Sequence, residues 1–313
     1  MKKIVFYFGF SIEHWVPFST FPHKAGTYYA LIDALLAQGC ECFIAGGRKA
    51  YQGSGFFTAT RRYQKTTHSW EFCGEPVEAS AILDRTRWVD GFDTVFEQRA
   101  VNPLPLKMFG NNKFQMLDVF HSYTKRFFLA QSRETLLDII KNFSSTERMV
   151  AKPVNGIKGR GIFIGTPKEI LAAFPSLSEP YLIQEFIDTS HGIPGVTTTN
   201  HDIRFVVAHG EIILAALRTP KEGSLLANVA QGGSIQEIPL PSLPLPVQEC
   251  AQEIKKRMDE LFGPSYYSLD FGIEEGIPYL FEINDRIGFP RETMPHATSF
   301  AKGLAQTLLS KSS

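Results

Sequence analysis

The alternation of apolar and polar positions predicts strands and helices in turn along the first third of the chain. An apolar run over residues 3–10 has the length of a buried strand. A helical pattern over residues 27–38 then leads to a second strand over residues 41–45. This order is typical of a parallel sheet that helices cover.

The middle of the chain carries helix and strand signals on either side of a glycine-rich loop. Ser132 is placed to cap a helix, Met149–Pro153 is strand-like, and residues 155–161 hold three glycines. After a further short strand, Thr166 precedes a proline and stands three positions before Glu169. That spacing predicts a helix start with a capping box.

From residue 184 onward the pattern indicates antiparallel strands and one long amphipathic helix. The predicted elements are strands over residues 203–208 and 211–217, a helix over residues 247–262, and strands over residues 266–272 and 278–284. Both strand pairs flank a short polar turn that contains glycine, which is typical of hairpins.

These patterns predict three parts. They are an N-terminal α/β domain at residues 1–105, a small subdomain with the glycine-rich loop at residues 106–183, and a C-terminal subdomain at residues 184–313. Pro103 and Pro105 mark the first boundary. A chain of 313 residues is long enough for several lobes around a shared cleft.

Composition narrows the choice of partners. Lys+Arg and Asp+Glu are both 32, so the balance gives no reason to expect a nucleic acid or an acidic membrane as partner. The first apolar run is far shorter than the roughly 18 residues of a membrane helix, and no cleavage site for a signal peptide follows it. The four cysteines lack metal spacing and are expected to be buried free thiols, so a cytoplasmic location is expected.

Lys152 and the glycines after it form the strongest single motif. Gly156, Gly159 and Gly161 lie between two strands, where backbone N–H groups can approach an anion closely. Lys152 adds a fixed positive charge at the end of the first strand. The spacing differs from a P-loop, and an ordinary hairpin turn is the alternative interpretation.

Two carboxylates and an amide come together in the predicted terminal hairpin. Glu282 and Asn284 are two positions apart on one strand and therefore share a face. If residues 274–276 form a three-residue turn, Asp270 lies opposite Leu280 and diagonal to Glu282. Oxygen ligands arranged in this way suit Mg²⁺. A solvated strand face is the alternative.

Arg204 and Arg218 are predicted to lie on one face of the other hairpin. With a three-residue turn at residues 208–210, Arg204 lies opposite Leu214. Two guanidinium groups on one face can hold a phosphate or a carboxylate. The alternative is a structural salt bridge between Asp202 and one of these arginines.

Taken in order, these motifs resemble the ATP-grasp superfamily. The residues that carry the resemblance, within about residues 100–290, are Asn112-Lys113, Lys152 with its glycine loop, residues 184–188, Asp202-x-Arg204, Arg218, Asn228 with Gly232-Gly233, Asp270 and Glu282-x-Asn284. Within that superfamily the chain is most similar to glutathione-synthetase-like and ribosomal-protein-glutamate-ligase-like carboxylate–amine ligases. The implied fold is α/β, with α+β ATP-binding lobes. It has an N-terminal domain, a lid lobe and a C-terminal antiparallel-sheet lobe, with ATP between the last two.

The resemblance implies a role for each matching residue. Phosphates of ATP would be bound by Lys113, Lys152 and the loop residues Gly156, Gly159, Arg160 and Gly161. Adenine would be lined by Gln184, Glu185, Phe186 and Ile187, and the ribose would be held by Asp188 or a near neighbour. Mg²⁺ would be held by Asp270, Glu282 and Asn284, and charge on the transferred phosphoryl group would be stabilised by Arg204, Arg218 and Asn228.

The implied reaction is ATP-dependent activation of a carboxylate as an acyl phosphate, followed by attack of an amine. The expected substrates are small-molecule, amino-acid or peptide carboxylates and amines. Two alternatives stay open, an ATP-grasp kinase that phosphorylates a hydroxyl and a catalytically silent ATP-binding module. His191 and His201 are expected to be loop or packing residues rather than a base for the amine. Whether the chain forms a homo-oligomer also stays open.

Overall fold

The computed structural model describes residues 1–156, 159–227 and 232–312. The strands are β1 (Lys3–Phe8), β2 (Glu41–Gly46), β3 (Tyr51–Gly53), β4 (Phe56–Phe57), β5 (Thr60–Gln64), β6 (Ser69–Cys73), β7 (Val77–Glu78), β8 (Ala81–Asp84), β9 (Phe127–Ala130), β10 (Met149–Pro153), β11 (Phe163–Gly165), β12 (Tyr181–Glu185), β13 (Asp202–Ala208), β14 (Glu211–Thr219), β15 (Ser234–Ile238), β16 (Tyr267–Glu274) and β17 (Ile277–Asn284). The α-helices are α1 (Ala25–Leu36), α2 (Thr94–Arg99), α3 (Leu104–Asn111), α4 (Lys113–Val119), α5 (Arg133–Ile140), α6 (Pro167–Ala173), α7 (Leu245–Phe262) and α8 (Ala297–Lys311). No helix in these ranges is both long and apolar enough to span a bilayer.

The N-terminal sheet has the strand order β6-β5-β2-β1-β8, with β1 parallel to both β2 and β8. The predicted parallel pairing of the first two strands is therefore present, although β1 ends at Phe8. Helix α8 packs on α1, so the end of the chain returns to cover this sheet, and Phe300 and Leu304 share one apolar core with Ile4 and Leu31. Cys40, Cys42 and Cys250 are buried free thiols as expected, whereas Cys73 is partly exposed.

The central sheet, with the order β11-β10-β12-β9, is antiparallel and carries α5 and α6 on one face. Both predicted N-caps are present, at Ser132 and at Thr166, and Glu169 completes the second capping box. Along β10, Met149 and Ala151 pack against the helices, so the alternate residue Lys152 points to the opposite face. This alternation brings the lysine into a cleft.

The C-terminal sheet, with the order β15-β14-β13-β16-β17, lies across that cleft. Helices α3, α4 and α7 contribute to the apolar core on its far face, where Met116, Ile254 and Phe271 are buried together. The predicted helix over residues 247–262 is confirmed as α7, which ends at Gly263, a glycine with a positive φ of 71°.

Both hairpins of the C-terminal sheet differ in register from the sequence prediction. Their turns have two residues, His209-Gly210 and Glu275-Gly276, all four with positive φ. The prediction of three-residue turns was wrong. His209 and Glu275 have positive φ, a conformation that was expected only at the glycines, and this allows the shorter turn.

The shorter turns and a bulge in each hairpin change which residues face each other. Arg204 lies opposite Ala216 instead of Leu214. Asp270 lies directly opposite Glu282 instead of Leu280, since the register shifts between Asp270 and Phe271. The two carboxylates are therefore closer neighbours than the diagonal arrangement predicted.

Candidate functional site

A solvent-open cleft of about 970 Å³ separates the central sheet from the C-terminal sheet. Most of the predicted site residues line it: Lys113, Lys152, Gly156, Gly159, Arg160, Gln184, Glu185, Phe186, Ile187, Arg218, Asp270 and Glu282. Arg204 and Asn284 lie directly behind this lining, since both bond to Asp270. Asn228 lies outside the described residues.

Lys113 and Lys152 are desolvated cations on one side of the cleft. Lys113 is the first residue of α4, and Asn112 caps this helix by accepting a hydrogen bond from the N–H of Gln115. The Nζ of Lys113 donates to the carbonyl of Gly156. Lys152 is 7% exposed and forms no salt bridge with a described residue. Its pKa is lowered to about 8, mainly by burial; the charge of Glu282 opposes this effect and that of Lys113 adds to it. A buried lysine of this kind is stabilised when an anion binds beside it.

The carboxylates face these lysines from the floor of the cleft. Asp270 is fully buried on β16, and Glu282 is partly exposed on the adjacent strand β17. Asn284 Nδ2 lies 3.2 Å from Asp270 Oδ2 and 3.1 Å from Glu282 Oε1, so one amide bridges both acids. Glu282 also acts on the pKa of both lysines, which shows that the two sides of the cleft are within electrostatic reach.

The donor set fits a hard divalent cation that phosphates help to hold. Among the described residues, no three His, Cys, Asp or Glu side chains cluster as a metal site. Glu282 and Asp270 supply two carboxylates, and rotation of the Asn284 amide would turn its oxygen toward them. Mg²⁺ commonly takes one or two carboxylates and completes its coordination with phosphate oxygens and water, so a partial protein set is sufficient.

Asp270 is also the centre of a buried ion-pair network. Arg204 Nε donates to its Oδ1 at 2.7 Å, and Arg218 Nη2 donates to its Oδ2 at 2.8 Å. Burial would raise the pKa of Asp270, but Arg204 and Arg218 outweigh it and lower the pKa to about 2. Arg218 is held in addition by Asp202, with Nε and Oδ1 2.5 Å apart. The structural salt bridge that the sequence left open is therefore present, and Arg218 still lines the cleft.

The predicted adenine segment crosses the back of the cleft at the end of β12. Gln184 is buried, and its Nε2 donates to Thr124 Oγ1 at 2.6 Å. The Glu185 carboxylate pairs with Arg126, 2.8 Å away. Asp188 is outside the described cleft lining, and its carboxylate accepts a hydrogen bond from the N–H of Ser190. Gly161 also stands outside that lining, against Pro153.

Several lining residues were not predicted from the sequence. They are Val150, Pro153, Ile162, Ile164, Thr189, Asn200, His201, Asp202, Leu225, Leu226, Ala227 and Phe281. The apolar residues carry no chemical signal that separates a cleft wall from a core. In a regular strand Phe281 would face away from its neighbour Glu282, but the bulge in β17 turns it toward the cleft. His201 is buried, and its Nε2 has no described partner and almost no accessible surface, which fits a packing residue.

Comparisons with known proteins show to which family the chain is similar. Residues 111–306 match the RimK-like ATP-grasp domain. Human N-acetylaspartylglutamate synthase A is 26% identical over 45% of this chain and 33% of its own length. A probable alpha-L-glutamate ligase from Maridesulfovibrio salexigens is 26% identical over 50% of this chain and 48% of its own. The chain thus spans less than half the length of these relatives.

The fold has counterparts among solved structures. The structure of D-alanyl-alanine synthetase A from Vibrio cholerae superimposes with a TM-score of 0.66, over 99% of this chain and 98% of that one, at 11% identity. At that identity the likeness shows the fold alone. The family match covers well over half of the residues, including the glycine loop, both lysines and the carboxylate hairpin. The chain therefore belongs to the RimK-like ATP-grasp family.

Proposed function

We propose that this chain is an ATP- and Mg²⁺-dependent ligase that couples a substrate carboxylate to an amine. The observation that carries the proposal is a single cleft in which two desolvated lysines face two carboxylates on adjacent strands. Lysines without a carboxylate partner attract phosphates, and the opposed acids suit the metal ion that accompanies them. A triphosphate satisfies both sides at once.

The chemistry needs little from the protein beyond positioning and charge. An oxygen of the substrate carboxylate attacks the γ-phosphorus of ATP, and ADP leaves with the electrons of the broken P–O bond. The amine nitrogen then attacks the acyl carbon, phosphate leaves, and the amine gives up a proton to solvent. An amide remains. Mg²⁺, when bound, would neutralise charge on the phosphate oxygens.

Each side chain has a place in this proposal. Lys113 and Lys152 bind phosphate oxygens, and the loop at Gly156, Gly159, Arg160 and Gly161 lies over the same end of the nucleotide. Residues 184–187 line the base, and Asp188 or a neighbour binds the ribose. Asp270, Glu282 and Asn284 hold the metal ion. Arg218 stabilises developing charge, together with Asn228, while Arg204 acts through Asp270, which it fixes in place.

One substrate supplies the carboxylate and the other supplies the amine, and we propose that at least one of them is an amino acid or a peptide. Relatives named as an N-acetylaspartylglutamate synthase and a probable alpha-L-glutamate ligase support this class. A cytoplasmic location belongs to the same proposal, because three of the four cysteines are buried free thiols.

Trapping the activated acid tests the reaction. The protein would be given ATP, Mg²⁺, hydroxylamine and candidate acids, and ADP and hydroxamate would be measured. We expect hydroxamate in step with ADP, and at least a hundredfold less of both from Glu282→Gln, since one charged ligand in such a site contributes on the order of a few kcal/mol. Glu275→Gln, at the exposed turn of the same hairpin, is the control and should keep full activity.

Three results would contradict the proposal. Phosphorylated hydroxyl product without hydroxamate would favour the kinase. Full activity of Glu282→Gln would remove that residue from the site. If nucleotide binds but no ADP is produced from any acid, the ATP-binding module without catalysis becomes the better account.

A further inference from the structure

We propose that Arg87 and Arg286 form an anion-recognition site that holds a non-reacting carboxylate of the acid substrate, next to the phosphate end of the cleft. This inference rests on the proposed ligase function and extends it to the substrate. It assigns a binding role to the loop after β8, which lies in the N-terminal domain. That loop carried no predicted function.

The two arginines come from loops that contact each other closely. Arg286 follows β17, and its Nη1 donates to the carbonyl of Thr86 at 3.1 Å, one residue before Arg87. In return, Arg85 Nη2 donates to the carbonyl of Ile287 at 3.0 Å. The loop after β8 is thereby fixed against the loop that follows the carboxylate strand.

The position is one where α/β proteins commonly bind ligands. β1 and β8 are parallel, and Arg87 follows the carboxyl end of β8. Ligands of open α/β sheets bind in the crevice outside these carboxyl ends. Beneath the loop, Lys107 pairs with Asp84 in a buried ion pair and donates to Thr86 Oγ1 at 3.1 Å. The backbone that carries Arg87 is therefore held by buried polar contacts.

Arg87 differs from other arginines of the N-terminal domain. Arg48, Arg62 and Arg99 each pair with a carboxylate, at 2.8, 2.5 and 2.9 Å. Arg87 is exposed, and within the described part of the chain no hydrogen bond or ion pair involves it. Its guanidinium fork is available to a ligand.

The charges around Arg87 are mostly of its own sign. Partial desolvation and the neighbouring Arg286 and Arg160 lower the pKa of Arg87, and the charge of Asp285 opposes them. Asp285 is itself buried, and Arg286 Nε lies 3.3 Å from its Oδ2. Arg160 lines the nucleotide cleft. Guanidinium groups from the glycine loop and the C-terminal loop thus lie within electrostatic reach of Arg87, and the charge of Asp285 opposes them.

An organic acid with two carboxylates fits this arrangement. A planar carboxylate accepts two hydrogen bonds from one guanidinium group, whereas a primary amide in its place accepts fewer and carries no charge. Held by Arg87 and Arg286, the non-reacting carboxylate would leave the other free to extend toward the γ-phosphate near Arg160. The site would select acids by the presence of the second carboxylate.

Direct binding tests the site without relying on turnover. Succinate, glutarate and adipate, and the monoamide of each, would be titrated at constant ionic strength with and without Mg-ADP. Calorimetry would be the main readout, with tryptophan fluorescence as a second one, because Trp88 adjoins Arg87. We expect at least one dicarboxylate to bind about tenfold tighter than its monoamide, as a charge-assisted hydrogen bond contributes on that order.

Variants locate the effect. Arg87→Gln should abolish the preference for the dicarboxylate, Arg87→Lys should restore part of it, and Lys65→Gln, at an exposed position of the same domain, should leave it unchanged. The dissociation constant of Mg-ADP should stay the same in all three.

A wild-type protein that does not distinguish diacids from monoamides, or an Arg87→Gln variant with the wild-type preference, would overturn the inference. Loss of the proposed function is recognised separately. In that case the wild-type protein would form no hydroxamate in the trapping assay, whatever its affinity for Mg-ADP.

Discussion

Lys152 is the side chain whose environment most clearly separates function from stability. It is buried, it has no carboxylate partner among the described residues, and its pKa falls from 10.5 to about 8. A shift of that size costs about 3 kcal/mol when the lysine is charged at neutral pH. The charge of Lys152 therefore destabilises the fold, but it would pair with a phosphate oxygen of a bound nucleotide.

Lys152→Met should therefore stabilise the fold while it removes nucleotide affinity. We expect the free energy of unfolding at pH 7 to rise by up to about 3 kcal/mol, because methionine fills similar volume without charge. In the wild type, the destabilisation by the charged Lys152 side chain is fully present below pH 8. It disappears as the pH rises toward 10.5, because the folded lysine loses its proton before the unfolded one does. The gain should shrink over the same range.

Urea denaturation at several pH values measures this difference. Lys141→Met, at an exposed position just after α5, is the control and should change little. Equal stability of Lys152→Met and wild type at pH 7, or a gain that does not vary with pH, would show that Lys152 is not a desolvated cation.

The sequence predicted these residues unevenly, for a physical reason. Lys152, Asp270 and Glu282 could be predicted because charged residues within otherwise apolar strands are unusual and suggest a partner. Arg87 and Asn200 could not be predicted, since a charged or amide residue in a loop is ordinary surface until distant segments bring it to a cleft.

At the scale of elements, the hairpin β16–β17 determines the shape of the cleft floor. Its two-residue turn and bulge place Asp270 opposite Glu282 and turn Phe281 toward the cleft. Gly272 makes room for that ring, because a Cβ at residue 272 would lie 2.3 Å from Cζ of Phe281. A glycine is required here by close approach rather than by its φ angle.

Gly272→Ala should push the Phe281 ring from its position. Overpacking of this kind costs about 1–3 kcal/mol of stability, and the displaced ring should also weaken nucleotide binding. Gly74→Ala is the matched control, since no atom lies within 4 Å of a Cβ at that position. Thermal unfolding and calorimetry with an ATP analogue measure both effects. Wild-type affinity in Gly272→Ala would contradict the assignment of Phe281 to the nucleotide site.

Helix starts were predictable at this scale, whereas strand register was not. Ser132 and Thr166 cap their helices through contacts with residues three positions away, so the local sequence contains the whole interaction. Register in the hairpins depends on a left-handed conformation at Glu275 and on a bulge, and both are set by packing between strands. A periodic pattern carries no signal for either.

At the scale of the molecule, the N-terminal and C-terminal sheets are joined by partly buried polar contacts. Asn102 Nδ2 donates to the carbonyls of Tyr266 and Asp285, both at 2.6 Å, and Asn102 Oδ1 accepts from the N–H of Tyr266 at 2.8 Å. Helix α8 adds a shared apolar core. Contacts between residues more than 160 positions apart could not be inferred from local sequence patterns. The domain boundaries at residues 105 and 183 stay predictions.

The central claim is that one nucleotide bridges the central sheet and the C-terminal sheet. A crystal structure with Mg²⁺ and a non-hydrolysable ATP analogue tests it most directly. We predict a phosphate oxygen about 2.8 Å from Lys152 Nζ and a Glu282 carboxylate oxygen about 2.1 Å from the metal ion. A nucleotide bound elsewhere, or one whose phosphates reach the lysines while the metal ion lies away from Asp270, Glu282 and Asn284, would contradict the account.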